Sequence, residues 1–403
     1  MRILYTFGIL CYGFAIRLAS LFNPKAKAWV RGRRSWSKKL PTTDNRLVIW
    51  FHCASLGEFD QGLPLMERVK KDRPNCFLLV TFFSPSGMQH YHKRQHCADH
   101  VMYMPLDTPS NAHRFTEHFR PYMSVFVKYE FWSNHILAAR KRHSRIFNIS
   151  GLFRPSQGFF QWYGVFFRKT LRQFEWFYVQ NEASVELLAS IHLENASVSG
   201  DSRFDRVLEN SRQVSGNKVI EAFCAGKNLL VIGSSWPSDE RLLAPFIRQF
   251  SGKVLLAPHA IDAGHLREIL ALLPEAVCYS ACEKGAALPE KILVLDTIGQ
   301  LANAYSYGSV AYVGGGFSGS LHNILEPAVF GLPVLFGPKH KRFPEAQQFI
   351  DEGIGFSVQS TEEFQNVFET VSANLPELKA KTRAFVEANA GAADRIWSAI
   401  NSR

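Results

Sequence analysis

The segment from Ala311 to Pro338, AYVGGGFSGSLHNILEPAVFGLPVLFGP, sets three consecutive glycines behind an apolar run and then brings His322, Asn323 and Glu326 close together in sequence. Glycines let a backbone approach a ligand closely, and the free N–H groups of a helix start attract phosphate. A helix opening at His322 and Asn323 would carry both on one face with Glu326. A carboxylate one turn into such a helix suits the hydroxyls of a ribose. The chain then breaks at Gly331-Leu332-Pro333 and resumes as a second apolar run, Val334 to Phe336. Strand, glycine loop, helix, strand is the pattern of a nucleotide site at the carboxyl end of a parallel sheet. The plainer alternative is a strand-to-helix turn with no ligand, since short glycine patterns select weakly. His322 and Glu326 do not suggest zinc, because no second histidine follows at ligand spacing.

A second chemical feature is the run WFHCASLGEFDQG, in which a strand ends at Cys53, turns through Ser55-Leu56-Gly57 and starts a helix near Glu58. This puts Glu58 at the carboxyl edge of a sheet, where open α/β folds keep their active sites. An acidic residue in a first helical turn is also stabilised there with no further role. Glu130, in VFVKYEFWSN, has the same two readings.

The elements that must position these residues are short apolar runs alternating with helical patterns, the signature of parallel α/β folds. Strands are expected near 47–53, 77–83, 101–104, 124–127, 145–149 and 176–179. The second half repeats the theme near 229–232, 253–257, 292–295, 309–313 and 333–336. The length of 403 residues allows two domains with full cores. The polar stretch Ser211–Lys218 is the expected linker. The expected architecture is two doubly wound Rossmann-like domains facing a central cleft.

Charge is uneven along the chain. Residues 1–210 hold 29 Lys+Arg against 16 Asp+Glu, and residues 211–403 hold 17 against 19, which together give the net +11. Only the first half is therefore expected to meet an anionic partner or surface. The seven cysteines are scattered, odd in number and without CxxC pairs, as in a reducing compartment and unlike a metal cluster. Residues 3–22, ILYTFGILCYGFAIRLASLF, are mostly apolar and as a helix would extend about 30 Å, near the thickness of a bilayer core. Arg17 inside the run leaves an interfacial helix open as well. The basic flank from Lys25 to Lys39 rejects a cleaved signal peptide and keeps the following chain in the cytoplasm. Residues 158–177, GFFQWYGVFFRKTLRQFEWF, hold more aromatics than one helical face can bury. Phe159, Phe160, Trp162 and Tyr163 are expected at a membrane surface, with a core position the alternative, above all for Phe166.

Taken in order, the apolar anchor, HCASLGE, TFFSPSG, YMPLDTP, KYEFWSN, VSGDSRFD, GSSWPSDE, LLAPH, LDTIGQL and the GGG…HNILEP…GLPVLFGP block resemble the 3-deoxy-manno-octulosonic acid (Kdo) transferases over nearly the whole chain. The resemblance implies the glycosyltransferase GT-B fold: a membrane anchor at 1–22, an acceptor domain at 23–210, and a donor domain at 211–403 whose last helix could pack back on the first. It implies inverting transfer of Kdo from CMP-Kdo to a lipid A precursor (lipid IVA) in lipopolysaccharide core biosynthesis, at the cytoplasmic face of the bacterial inner membrane.

In that resemblance Glu58 matches the general base, and a helix start would lower its pKa. Glu130 matches a carboxylate that stabilises the oxocarbenium-like transition state. Arg203 stands where the family usually has lysine, which keeps the charge with a different geometry. CMP is expected against Ser234, Ser235, Pro258, His259, the Ile298-Gly299-Gln300 turn, Gly315, Gly316, His322 and the run Asn323-Ile324-Leu325-Glu326. His259 replaces a common arginine and Gln300 a frequent glutamate. No cofactor and no metal are called for, since helix dipoles and cationic side chains can stabilise a leaving phosphate. Two alternatives remain: a GT-B enzyme using a UDP-sugar, and a non-enzymatic basic protein tethered to a membrane. Nucleic acid is not an expected partner, because no motif for it is present.

Overall fold

Strands buried on both faces need continuous apolar runs rather than alternating ones, and Val48–Cys53 and Phe77–Phe82 are buried at every position. The computed structural model describes residues 1–226 and 228–403. They form two units, Met1–Arg206 with Asn389–Arg403, and Val207–Ala388.

The first unit holds β1 (Val48–Cys53), β2 (Phe77–Phe82), β3 (His100–Tyr103), β4 (Met123–Val127), β5 (Arg145–Gly151), β6 (Trp176–Val179) and β7 (Ala196–Val198). They pair in parallel in the order β3-β2-β1-β4-β5-β6-β7. The second unit holds β8 (Leu229–Ser235), β9 (Lys253–Pro258), β10 (Ala276–Cys278), β11 (Ile292–Val294), β12 (Val310–Val313), β13 (Val334–Phe336) and β14 (Gly355–Ser357). Their order is β10-β11-β9-β8-β12-β13-β14, again parallel. Each sheet reverses its winding once, between β1 and β4 and between β8 and β12. Such reversal points open a crevice at the carboxyl ends of the strands.

The expected strands are present with ends shifted by up to three residues. Three strands were not expected: β7, β10 and β14, each three residues long, partly exposed and at a sheet edge.

The border between units lies at Arg206/Val207, inside the helix Ser202–Arg212, rather than in the polar stretch at 211–218. The chain returns to the first unit at Asn389, so the second unit ends before the 403 drawn from sequence. Apolar packing is the reason. Ile396, Trp397 and Ile400 of the helix Ala392–Asn401 are buried in the core of the first unit. The Trp397 indole donates to Asp72 at 2.7 Å, and the Asp205 carboxylate accepts from the backbone of Gly391 and Ala393.

The N-terminal helix, Arg2–Ala19, lies against the first unit along one stripe. Tyr5, Ile9, Gly13, Ile16 and Ser20 face inward at helical spacing. The Tyr5 hydroxyl donates to Asp107 at 2.7 Å, Arg2 donates to Asn134 at 3.0 Å, and a Cβ on Gly13 would strike Leu106. Ile3, Leu4, Phe7, Leu10, Phe14 and Leu18 are exposed on the other face.

Candidate active site

Glu58 follows β1 and Glu130 follows β4, so both carboxylates stand at the reversal point of the first sheet. Ser55 begins the helix Leu56–Asp72 in a capping box whose third helical residue is Glu58. The Glu58 carboxylate accepts from the backbone N–H of Ala54 and, at 3.1 Å, of Ser55. The helix start was expected to lower its pKa. The opposite holds: burial raises it, outweighing the Lys128 charge and the two N–H bonds that pull it down. Glu130 is pushed up further, to about 7, by burial and by the charge of Glu58, against the hydrogen bond from Trp132. That bond runs from the Trp132 indole N–H to the carboxylate at 3.0 Å. Two enclosed carboxylates held above their ordinary range are a common device for proton transfer near neutral pH.

Arg203 sits in the first turn of the helix Ser202–Arg212 and is ion-paired with Asp201 at 2.6 Å. Ser202 ties this turn to the same edge of the sheet. Its hydroxyl donates to the Gln61 carbonyl at 2.7 Å and shares a hydrogen bond with Ser150 at the end of β5.

The second reversal point lies where β8 and β12 end. A Cβ on Gly314 would collide with the Ser234 carbonyl, one on Gly315 with Ser320, and one on Gly316 with Gly337. Gly315 also has φ +89°. The triple glycine is therefore required by this chain's own backbone, which meets itself three times there. Buried Asp239 fixes the crossing, accepting from Trp236 N at 2.9 Å, Gly315 N at 3.1 Å and Tyr312 Oη at 2.7 Å.

His322 and Asn323 were expected to open a helix, but the helix is only Leu325–Ala328 and both precede it. The break at Gly331, φ +79°, leaves room for a single turn. Asn323 still governs it, accepting from Leu325 N at 3.1 Å and donating to Glu326 at 3.2 Å. Ile324 and Leu325 are core residues. His322 joins a ring cluster with Trp236 and His259. Trp236 stacks on His259 at 4.5 Å, His259 and His322 are 4.6 Å apart, and the Trp236 indole N–H lies 3.3 Å from His322 Nε2. Burial, with His259 beside it, pushes His322 down to about 4. The ring is then neutral at pH 7, accepts at Nε2 and keeps its proton on Nδ1.

The remaining expected residues divide. Pro258 ends β9 beside Ser235, and His259 N donates to the Ser235 carbonyl at 2.9 Å. The Ser235 hydroxyl is fully buried and donates to Glu240 at 2.7 Å, so it serves the fold. Gln300 accepts from Asn217 at 3.1 Å, while Ile298 is 82 % exposed next to Gly299, φ +92°. Sequence reasoning missed Trp132, Trp236 and Asp239 as site residues. All lie inside the quoted runs KYEFWSN and GSSWPSDE, each within four residues of a residue that was picked out.

The aromatic segment corrects a further expectation. Phe159 and Phe160 pack against Phe153, with Phe159 also on Phe131, at the margin of a core cluster. Trp162, 87 % exposed, and Tyr163, 56 % exposed, are the outward pair. Phe166 and Phe167 meet Tyr5 of the N-terminal helix.

Residues 29–206 match the family described as 3-deoxy-D-manno-octulosonic-acid transferase (kdotransferase). A 3-deoxy-D-manno-octulosonic acid transferase of Chlamydophila psittaci is 27 % identical over 98 % of this chain and 96 % of its own length. One from Rickettsia bellii is 24 % identical over 86 % and 85 %. Among solved structures, the UDP-GlcNAc 2-epimerase of Methanocaldococcus jannaschii has a TM-score of 0.55 at 13 % identity, covering 80 % of this chain and 92 % of that one. That likeness is one of fold, the two-unit α/β architecture of GT-B proteins. The chain is thus similar to the 3-deoxy-D-manno-octulosonic-acid transferases over most of its length, with the family match at residues 29–206, and this similarity supports a glycosyltransferase.

Proposed function

We propose that the protein transfers Kdo from CMP-Kdo to a hydroxyl of a lipid A precursor, lipid IVA, with inversion, at the cytoplasmic face of an inner membrane. The observation that carries this reading is the pair of carboxylates at the first reversal point, Glu58 raised by burial and Glu130 raised by burial and by the Glu58 charge, inside the family-matched region. In the proposed step the acceptor oxygen attacks the anomeric carbon of Kdo, its proton passes to Glu58, and the bond from that carbon to the CMP phosphate breaks. CMP leaves with the bonding electrons. A Glu58 raised by burial is a stronger base than an exposed carboxylate, which suits proton removal from a sugar hydroxyl. Ionised Glu130 opposes the positive charge that develops on the sugar ring. Arg203 adds a fixed positive charge to the same sheet edge, within reach of an anionic substrate group.

CMP would lie on the ring cluster Trp236, His259 and His322, with the ribose hydroxyls at Glu326. The neutral His322 offers its Nδ1–H as a donor. The apolar outer face of the N-terminal helix, with Trp162 and Tyr163 and the basic run 25–39, supports a helix lying on an anionic bilayer surface rather than crossing it.

A single-turnover assay with CMP-Kdo and lipid IVA tests the reading. Kdo-linked product is expected, with CMP protecting the protein against heat and UDP failing to do so. Product from a UDP-sugar, or protection by UDP, would overturn the donor assignment.

A further inference from the structure

We infer that the N-terminal helix is a wall of the carboxylate site, in which Tyr5 and Tyr12 are positioning residues that hold Glu130 in place. This rests on the catalytic role proposed for Glu130.

Two separate chains of contacts run from the helix to that carboxylate. The first is a stack of rings. Tyr12 lies parallel to Phe83 at 6.1 Å, Phe83 is stacked on Trp132 at 4.4 Å, and Trp132 donates its indole N–H to Glu130. The second is a hydrogen-bonded knot around Asp107, which is fully enclosed. Its carboxylate accepts from the Tyr5 hydroxyl at 2.7 Å, from the backbone N–H of Asn134 and His135 at 3.0 and 2.9 Å, and from His135 Nδ1 at 2.6 Å. The Asn134 side chain is held between Arg2 at 3.0 Å and Thr6 at 3.3 Å. This knot fixes the start of the helix Ser133–Lys141, four residues past Glu130 at Asn134.

A membrane anchor needs none of these bonds. An anchoring helix would present its apolar face and leave its polar groups to solvent or headgroups. Here Tyr5 on the inward stripe, with Arg2, Thr6 and the 42 % exposed Tyr12 beside it, carries the hydrogen bonds and the aromatic stack, and both lead to the segment 128–134 between β4 and the start of the next helix. That segment is unusual in its backbone, with Lys128 at φ +60°. A residue held in that region persists where its surroundings over-determine it. The charged and titratable groups facing Glu130 are Glu58 from the start of the helix Leu56–Asp72 and Tyr12 from the N-terminal helix. Arg33 stands behind Tyr12, and Lys128 faces Glu58. The helix that meets the lipid on its outer side thus closes the reaction site on its inner side.

The experiment uses the full chain in detergent micelles with micellar acceptor, so that membrane attachment does not limit the rate. Tyr12→Ala is expected to lower kcat about tenfold or more while leaving the acceptor KM and CMP affinity within about twofold, the mark of lost positioning. Water admitted by the shortened side chain should also move the Glu130 titration, followed by 13C NMR on glutamate-labelled protein, to lower pH. Tyr5→Phe removes a single oxygen and serves where Tyr12→Ala unfolds; it is expected to lower kcat by about threefold or more. Wild-type kcat and an unmoved Glu130 titration in both variants would overturn the inference. Full activity in Glu130→Gln would instead overturn the role of Glu130 itself, and the two failures are told apart by that variant alone.

Discussion

Glu58 and Glu130 follow adjacent parallel strands, and burial, together with the charge of Glu58, carries Glu130 to about 7. With Glu130 ionised in the active form, transfer should rise as pH increases through about 7. Glu130→Gln should remove that limb along with most of the rate. Glu58→Gln keeps an oxygen for the Ala54 and Ser55 N–H groups, so the helix start should survive while transfer is nearly abolished. In that inactive variant the Glu130 titration should fall below 7, readable by 13C NMR. A Glu130 midpoint that does not move when Glu58 is neutralised would show that the coupling is absent.

The same shift has a stability consequence of opposite sense to the usual carboxylate case. A folded pKa raised from 4.5 to about 7 means that the folded state holds its proton more tightly than the unfolded state. The resulting stability is present below pH 4.5 and lost as pH rises to about 7, a difference of about 3 kcal/mol at full effect. Glu130→Gln should therefore raise the melting temperature more at pH 8 than at pH 4.5. Equal gains at both values would mean that burial of the charge costs nothing.

On the nucleotide side, Glu326→Ala should weaken CMP binding by about 1.5–3 kcal/mol, the contribution of a hydrogen bond to a charged acceptor. Asn323→Ala should weaken it less, since Asn323 donates to Glu326 and caps the turn without being the acceptor. Calorimetry checks both, and unchanged affinity in Glu326→Ala would place the nucleotide elsewhere.

Much of this fold was legible because buried parallel strands leave largely apolar runs, and those at 47–53, 77–83, 229–232 and 309–313 are plain in the sequence. The edge strands β7, β10 and β14 were not, since a three-residue strand covered on one side leaves no such run. Glu58 and Glu130 could be picked out by their places after strands. The direction of the Glu58 pKa could not, because a local helix start was visible in sequence and enclosure by distant residues was not. Trp236 and Trp132 were hidden for a related reason: an aromatic beside a strand end reads as core until its neighbours are known. The helix expected at His322 failed on chain geometry, because the glycines and Gly331 serve close backbone crossings that leave one turn of helix.

The aromatic segment gives a final test in which neighbouring pairs should behave oppositely. Trp162 and Tyr163 are exposed and make a ring contact with one another at 5.6 Å, on the segment that reaches Tyr5 through Phe166. Aromatic rings with a polar tip favour the headgroup region of a bilayer. Serine at both positions should cut binding to anionic vesicles and raise the apparent KM for a vesicle-borne acceptor, with the melting temperature unchanged. Phe159 and Phe160 are half-buried against Phe153, so serine there removes packing and should cost about 3 kcal/mol of stability. Their effect on vesicle binding should be small in protein that remains folded. Residual vesicle binding in the Trp162/Tyr163 variant should fall as salt rises, because the basic run 25–39 attracts anionic lipid through screened charge. If the Phe159/Phe160 pair alone controls vesicle binding, the outward pair is not the lipid contact, and the membrane face has to be sought along the N-terminal helix instead.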